Sequence, residues 1–532
     1  MKRWVLLVAL AVVVALPFVL RPKRAALERA DDTLTIITPH NEAIRHEFGV
    51  GFRRWYRERT GRTVALDWRV LGGTSEIARY LESEYVAAFQ NHWTRELGRP
   101  WSSEVQGGFA NGRLADDAPA VAREARAAFL ASNVSCGIDL FFGGGPYDFA
   151  TQARAGRIVP SRTFERHRDW LNDDVIPRTF AGETYWDDEG RWIGAVLSSY
   201  GILYNRDALR RLGIAKPPAE WTDLTDPRYR GEVALADPTK SSSIAKAFEN
   251  VVQQQIQRKL AGGVASESAV RAGWVEGLRV LQLIGANARY FTDSSQKPPI
   301  DVSQGDCAVG ICIDFYGRSQ AEVAQHRASG ESRLGFVTPR GGTVSSVDPI
   351  ALLRGAPHRE VAEAFIEFTL SLDGQKLWNF KPGTPGGPER FALRRIPVRK
   401  DFYEHEEWKP FRSDPEAEPY AATERLIYRE EFTGRLFREL AFIIRVMTLD
   451  THRELASAWA AIAEAPEPRR ALALARLQDL SAVDYERAGG EIKQALTSKD
   501  RVDEVRMARR LGDYFRRNYA AAEALAGGAG AD

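Results

Sequence analysis

The chain has 532 residues, 44% hydrophobic and 27% charged, which is ordinary globular composition with room for about two to four domains. Seventy-three basic against 71 acidic residues leave a net charge of +2, which argues against a nucleic-acid binder, whose basic surplus is larger and clustered. Three cysteines make no disulfide framework; buried free thiols are expected, with a bridge from Cys136 to Cys307 or Cys312 as the alternative.

Met1, Lys2 and Arg3 precede an unbroken apolar run from Trp4 to Leu20, closed by Arg21, Lys23 and Arg24. As a helix this run reaches roughly 25 Å, slightly short of a ~30 Å hydrocarbon core. The best small-residue cleavage site, Val13-Val14-Ala15, lies inside the run. An uncleaved membrane anchor is therefore expected rather than a removed signal peptide. Either way the body is exported, to the periplasm or the extracytoplasmic face of the inner membrane. Residues 1–32 are read as this segment and a charged linker.

The body opens with a strand at Leu34–Ile37, the turn Thr38-Pro39-His40-Asn41, and a helix with Ile44, Phe48, Phe52 and Trp55 on one face. A second unit repeats the pattern: "TVALDWRVL", the turn Gly72-Gly73-Thr74-Ser75, then a helix from Glu76 toward Phe89. Residues 90–133 break the rhythm and read as an inserted helical excursion. The sheet resumes at "CGIDLFFGGG" and continues through "RWIGAVLSSYGILYN". Next come "GEVALAD", the turn Thr239-Lys240-Ser241-Ser242-Ser243 and a long helix. "DCAVGICI" is a strand that ends at Asp314, Phe315 and Tyr316, and a polar turn at Thr343 to Asp348 leads to another strand and helix. Strands alternating with helices predict doubly wound α/β sheets. After residue 401 the pattern turns helical, with Phe432, Leu436, Leu440, Ile443, Ile444 and Met447 on one stripe.

In open α/β sheets ligands lie beyond the carboxyl ends of strands. Five turns read as strand-to-helix turns are small and polar, and hydroxyls beside free helix-start N–H groups suit an oxyanion. Candidate ligand-binding residues are therefore His40, Asn41, Thr74, Ser75, Gly144, Gly145, Ser198, Ser199, Thr239, Ser241, Ser242, Asp314 and Tyr316. For the triple glycine, tight strand–helix packing is an equal alternative.

The blocks "SSYGILYN", "ADPTKSSS", "VSQGDCAVGICIDFYG" and "ALLRGAPHREVAEAFIEFTLSLDGQKLW" resemble the periplasmic solute-binding proteins of ABC importers, in the ferric-ion and phosphorylated-solute branch. The resemblance covers about residues 33–400. It implies a type II periplasmic-binding-protein fold: lobe 1 from 33–197 (with the insertion 90–133) and 346–400, lobe 2 from 198–345, with a hinge; the helical pattern beyond it reads as an α-helical extension at 401–532. It implies a small anionic solute held between the lobes by a monomer, and delivery to a permease and an ATPase. No cofactor is implied. Iron-binding members use adjacent tyrosines, a histidine and a carboxylate. This chain offers His40, Asp314 and Tyr316 for that alternative, but the family's carboxylate position falls on Phe142 to Gly145. A phosphorylated sugar or a phosphonate-like solute fits the hydroxyl-rich turns better.

No HExxH, GxSxG, Walker sequence or Cys/His metal spacing appears, so an enzyme is not expected. A membrane-tethered ligand sensor remains the other class, and a neighbouring permease gene or kinase gene separates the two.

Overall fold

A computed structural model of the protein describes, apart from Trp4, residues 30–325, 332–421, 426–498 and 500–528. The expected anchor falls outside the described residues. Among those described, no helix is long and apolar enough to cross a membrane.

The strands in chain order are β1 (Asp32–Ile37), β2 (Val64–Arg69), β3 (Leu140–Phe142), the short β4 (Ile158–Val159), a two-strand ribbon of β5 (Thr179–Phe180) and β6 (Glu183–Thr184), and β7 (Trp192–Ser198). They continue with β8 (Tyr200–Asn205), β9 (Val233–Ala236), β10 (Ala288–Thr292), β11 (Val309–Ile313), β12 (Leu334–Val337), β13 (Ser346–Leu353) and β14 (Ile396–Pro397). One sheet has the order β14-β7-β13-β3-β1-β2, with β4 beside β13. A second has the order β10-β9-β11-β8-β12. Within each sheet the early βα units pair in parallel and the strands that pass between sheets pair antiparallel. Two mixed α/β sheets, each with its own helices, thus make two lobes, followed by a helical C-terminal region, as the sequence led one to expect.

Continuous apolar runs make these strands because both sheet faces are covered by helices. All seven residues of β7, "WIGAVLS", are buried. The helix Glu42–Thr60 buries Ile44, Phe48, Phe52 and Trp55 at the anticipated spacing. Phe48 packs 4.2 Å from the Trp378 ring and Phe52 packs 4.9 Å from Phe365, so the first unit is locked onto the helices that follow β13.

The chain crosses between lobes twice, side by side. Ser199 alone separates β7 in the first sheet from β8 in the second. The return runs from β12 to β13, and the Tyr200 amide donates to Thr343 Oγ1 at 3.0 Å across the two crossings. Ser198-Ser199-Tyr200 is therefore a strand-to-strand crossing, not a strand-to-helix turn. The unbroken apolar runs on either side carry no signal that they belong to different sheets.

Residues 90–133 complete the helix Thr74–Asn91 with a π turn and add helices Ser103–Phe109 and Ala120–Ala131. They bury a core of their own built on Phe89, Trp93, Phe109 and Phe129. All three cysteines are free; Cys307 and Cys312 are buried in the second lobe and Cys136 is half-buried in the first.

The extension packs on lobe 2, where Trp274 Nε1 donates to the Val483 carbonyl at 3.0 Å and Trp459 Nε1 to Asn287 Oδ1 at 2.8 Å. It also reaches lobe 1. The Tyr428 amide donates to the Ala181 carbonyl at 2.8 Å, and the Phe437 and Tyr147 rings lie 4.7 Å apart. Leu426 N donates to Thr343 O at 3.3 Å, beside the crossing strands. The apolar stripe from Phe432 to Met447 is buried as anticipated. Its backbone, however, is not one helix: a 3₁₀ turn precedes Phe437–Ile444 and a π turn follows it.

Candidate functional site

Three helix N-termini meet at the seam between the lobes. Gly144 packs against Thr74, the first residue of the helix Thr74–Asn91, so that a Cβ on Gly144 would lie 2.5 Å from Thr74 Oγ1. The next residue, Gly145, caps the helix Pro146–Ala155 and sits beside Ser242, the first residue of the helix Ser242–Ala261. Gly143 touches the ring of His40, which a Cβ would approach to 2.4 Å. With φ of +89° and +122°, Gly143 and Gly144 adopt backbone that other residues rarely tolerate. Gly143 and Gly144 thus let His40 and Thr74 crowd one turn, with Ser242 in ordinary contact at Gly145.

The lobes are closed at this seam. A Cβ on Gly73 of lobe 1 would meet the Lys240 carbonyl of lobe 2 at 2.5 Å, and Lys240 Nζ lies 3.8 Å from Glu76 Oε1. Two buried groups face one another without a hydrogen-bond partner, Ser242 Oγ of lobe 2 and Asp148 Oδ2 of lobe 1. Burial pushes the Asp148 carboxyl up to about 6, and the nearby Ser242 hydroxyl offsets part of that rise.

Beneath the seam lies a polar floor that sequence reading found only in part. Asp348 on β13 accepts from Ser198 Oγ at 3.0 Å and pairs with Arg395 Nη2 at 2.7 Å, with His40 Nε2 3.7 Å away. Arg395 Nη2 also donates to Ser198 Oγ. Burial raises the Asp348 carboxyl, but the Arg395 charge and His40 outweigh it and hold the group below the usual range. Burial lowers the His40 pKa, so the ring is neutral at neutral pH. Arg395 is fully buried, lies 4.4 Å from the Phe315 ring, and keeps Nε and Nη1 without partners. Asp314, at the start of its helix, accepts from Ser199 Oγ at 3.2 Å and from Arg318 Nη2 at 3.0 Å. Burial raises the Tyr316 phenol well above its ordinary value. Of the three residues weighed for ferric ion, His40 faces the Asp348 carboxylate, Asp314 is paired with the Arg318 cation, and Tyr316 is held neutral where a hard cation needs phenolate. Among the described residues, no cluster of three His, Cys, Asp or Glu could hold a metal.

Three of the candidate hydroxyls and amides are helix or turn caps. Asn41 Oδ1 accepts from Ile44 N at 3.0 Å, and Ser241 Oγ from Ile244 N at 3.4 Å. Thr239 Oγ1 donates to Asp237 at 2.7 Å. Local capping, the common role of these residues, absorbs them.

Open space lies beside the seam. One cavity of about 500 Å³ is lined by Ser75, Thr239, Ser242, Asp148 and Arg79, with Arg438 of the extension. An adjoining one of about 390 Å³ shares Tyr147, Ser242, Phe437 and Arg438 and adds Gly145, Tyr200, Trp192 and Lys246. Ser75, Gly145, Thr239 and Ser242 therefore line cavities, whereas His40, Thr74, Gly144, Ser198, Ser199, Asp314 and Tyr316 line neither. Lys246 is spent on carboxylates, 2.7 Å from Glu183 and 2.9 Å from Glu249, beneath the Tyr428 ring. Burial lowers its pKa, but the two glutamates outweigh that and keep it charged. Arg395, Lys246 and the extension's arginines were missed because nothing in their local sequence marks them, and long-range packing alone brings them to the seam; Asp348 ended a polar turn visible in the sequence but was not named as a site residue.

Residues 138–397 match the family described as bacterial extracellular solute-binding protein. An uncharacterized protein of Haemophilus influenzae is 26% identical over 240 residues, covering 45% of this chain and 60% of that protein. The phosphoglycerate transport regulatory protein PgtC of Salmonella typhimurium is 26% identical over 187 residues, 35% of this chain and 40% of that protein. The chain thus spans about half the length of these curated relatives. Among solved structures, the periplasmic binding protein P5PA aligns with a TM-score of 0.49 at 15% identity, covering 77% of this chain and 98% of that one.

Proposed function

The segment 138–397 belongs to the bacterial extracellular solute-binding proteins, and from that premise we propose that the chain is the extracytoplasmic binding component of an ABC importer that captures an anionic organic solute at the lobe seam. The supporting observation is the meeting of three helix N-termini, at Thr74, Pro146 and Ser242, of which the last two line a cavity of about 390 Å³. Helix starts carry unpaired N–H groups and the positive end of the dipole, which favours negative charge nearby, although Pro146 itself contributes no N–H. The Ser242 hydroxyl, buried beside Asp148, supplies a donor. A phosphate or similar oxyanion is placed at Gly145 and Ser242, with the organic part extending toward Tyr200 and Trp192. Such a solute is a phosphorylated sugar or acid, or a phosphonate-like compound, and one relative's name refers to phosphoglycerate.

A permease and an ATPase then receive the solute, and residues 4–20 hold the monomer at the membrane if they are not removed. The same relative is named a regulatory protein, which favours ligand sensing as the second reading.

Calorimetric titration with 3-phosphoglycerate, a hexose phosphate and their unphosphorylated counterparts tests the proposal. A phosphorylated compound binding at least ~10-fold tighter than its neutral or less charged counterpart is expected, one good charge-assisted hydrogen-bond set being worth that much. Equal affinity for both, or binding of cations alone, overturns it.

A further inference from the structure

The insertion 90–133 and the extension have no part in the doubly wound sheets, yet both reach the 390 Å³ cavity. The insertion brings Arg113. Its loop is held against the helix Pro146–Ala155 by Arg126, which donates to the Phe109 carbonyl at 3.1 Å and the Ala155 carbonyl at 2.6 Å. That helix brings Arg154. The extension brings Arg435 and Lys493, the latter donating to the Arg435 carbonyl at 2.9 Å. Among the described residues, none of these four cations forms an ion pair, although ion pairs are plentiful elsewhere on the surface. Glu430 and Glu439 line the same cavity, the latter within electrostatic reach of Lys493, so the four cations leave a positive surplus that a bound anion relieves. Lys246 and Arg438, by contrast, are already neutralised, the latter by Glu504 at 3.0 Å.

Building on the seam reading above, we propose that Arg113, Arg154, Arg435 and Lys493 form a second anion subsite, so that the solute carries two anionic groups and the extension is a ligand-contacting wall. The first group sits at the helix N-termini around Ser242. The second faces the four cations that line the same cavity. A solute with only one anionic group leaves that end unsatisfied.

Inorganic phosphate and pyrophosphate, titrated separately into the full-length protein by calorimetry, are the probes. The wild type is expected to favour pyrophosphate by at least ~10-fold, the gain from joining two charge-assisted sites. Arg435→Gln with Lys493→Gln is expected to reduce that preference to within about threefold, and Arg113→Gln on the opposite wall to reduce it partly, since each removes one pairing. Neither change touches the buried core, and unchanged circular dichroism checks the fold. A wild type that binds phosphate without preferring pyrophosphate, or a double variant that keeps the full preference, overturns the second subsite alone. A wild type that binds neither overturns the seam reading as well.

Discussion

Asp148→Asn makes the sharpest test of the closed seam. Asp148 belongs to the first lobe and its environment includes Ser242 of the second, so its burial depends on the lobes being shut. The rise of its pKa from 3.8 to about 6 corresponds to about 3 kcal/mol between the two protonation states. The sign follows from linkage. A carboxyl whose folded pKa is raised contributes stability that is fully present below 3.8 and is lost as pH rises through about 6. At neutral pH the wild type therefore bears the cost of a buried carboxylate, and asparagine, of the same shape and uncharged, does not. Scanning calorimetry of both proteins from pH 4 to pH 7.5 should show the variant's advantage in Tm growing through this window by several degrees, then levelling. The same removal of negative charge should tighten the binding of a phosphorylated solute above pH 6. A Tm difference that stays flat across the window refutes the buried, seam-dependent carboxyl.

Other substitutions separate ligand contacts from scaffold. Ser242→Ala should weaken an anionic solute by about 1–3 kcal/mol in calorimetric titration, whereas Ser241→Ala should lower helix stability by about 1 kcal/mol with little direct effect on affinity, because Ser241 is only a cap. Gly144→Ala should cost about 1–3 kcal/mol of stability in Tm measurements, since its φ of +122° and the 2.5 Å approach to Thr74 leave no place for a Cβ. Arg395→Leu should cost about 3–5 kcal/mol by denaturant unfolding, as it strands the buried Asp348 carboxylate without its cation.

The strand–helix alternation and the two-lobed plan were legible in the chain because each rests on local signals. Apolar runs in "WIGAVLS" and "VGICI" read as buried strands, and the Ile44-Phe48-Phe52-Trp55 spacing reads as a helix face. The turn at Gly143–Gly145 was legible as important, but its purpose was not. Only the folded chain shows that the missing side chains of Gly143 and Gly144 make room for His40 and Thr74 at once. Hydroxyl-rich turns were a poorer guide. Asn41, Thr239 and Ser241 satisfy their own backbones or neighbours, a use that looks the same in sequence as ligand contact. The floor was half visible: Ser198 and Asp314 stood out at strand ends, while Arg395 lies two residues before β14's last residue in a stretch without polar pattern. The extension's reach onto lobe 1 had no signal at all, since an amphipathic stripe says that a helix packs but not upon what.

Native mass spectrometry of the protein purified with whatever it carries from its host tests the central claim most directly. One small organic molecule per chain, bearing phosphate or another strongly acidic group and lost on Ser242→Ala, is the predicted result. A neutral or cationic passenger, or an anion retained undiminished by that variant, contradicts it.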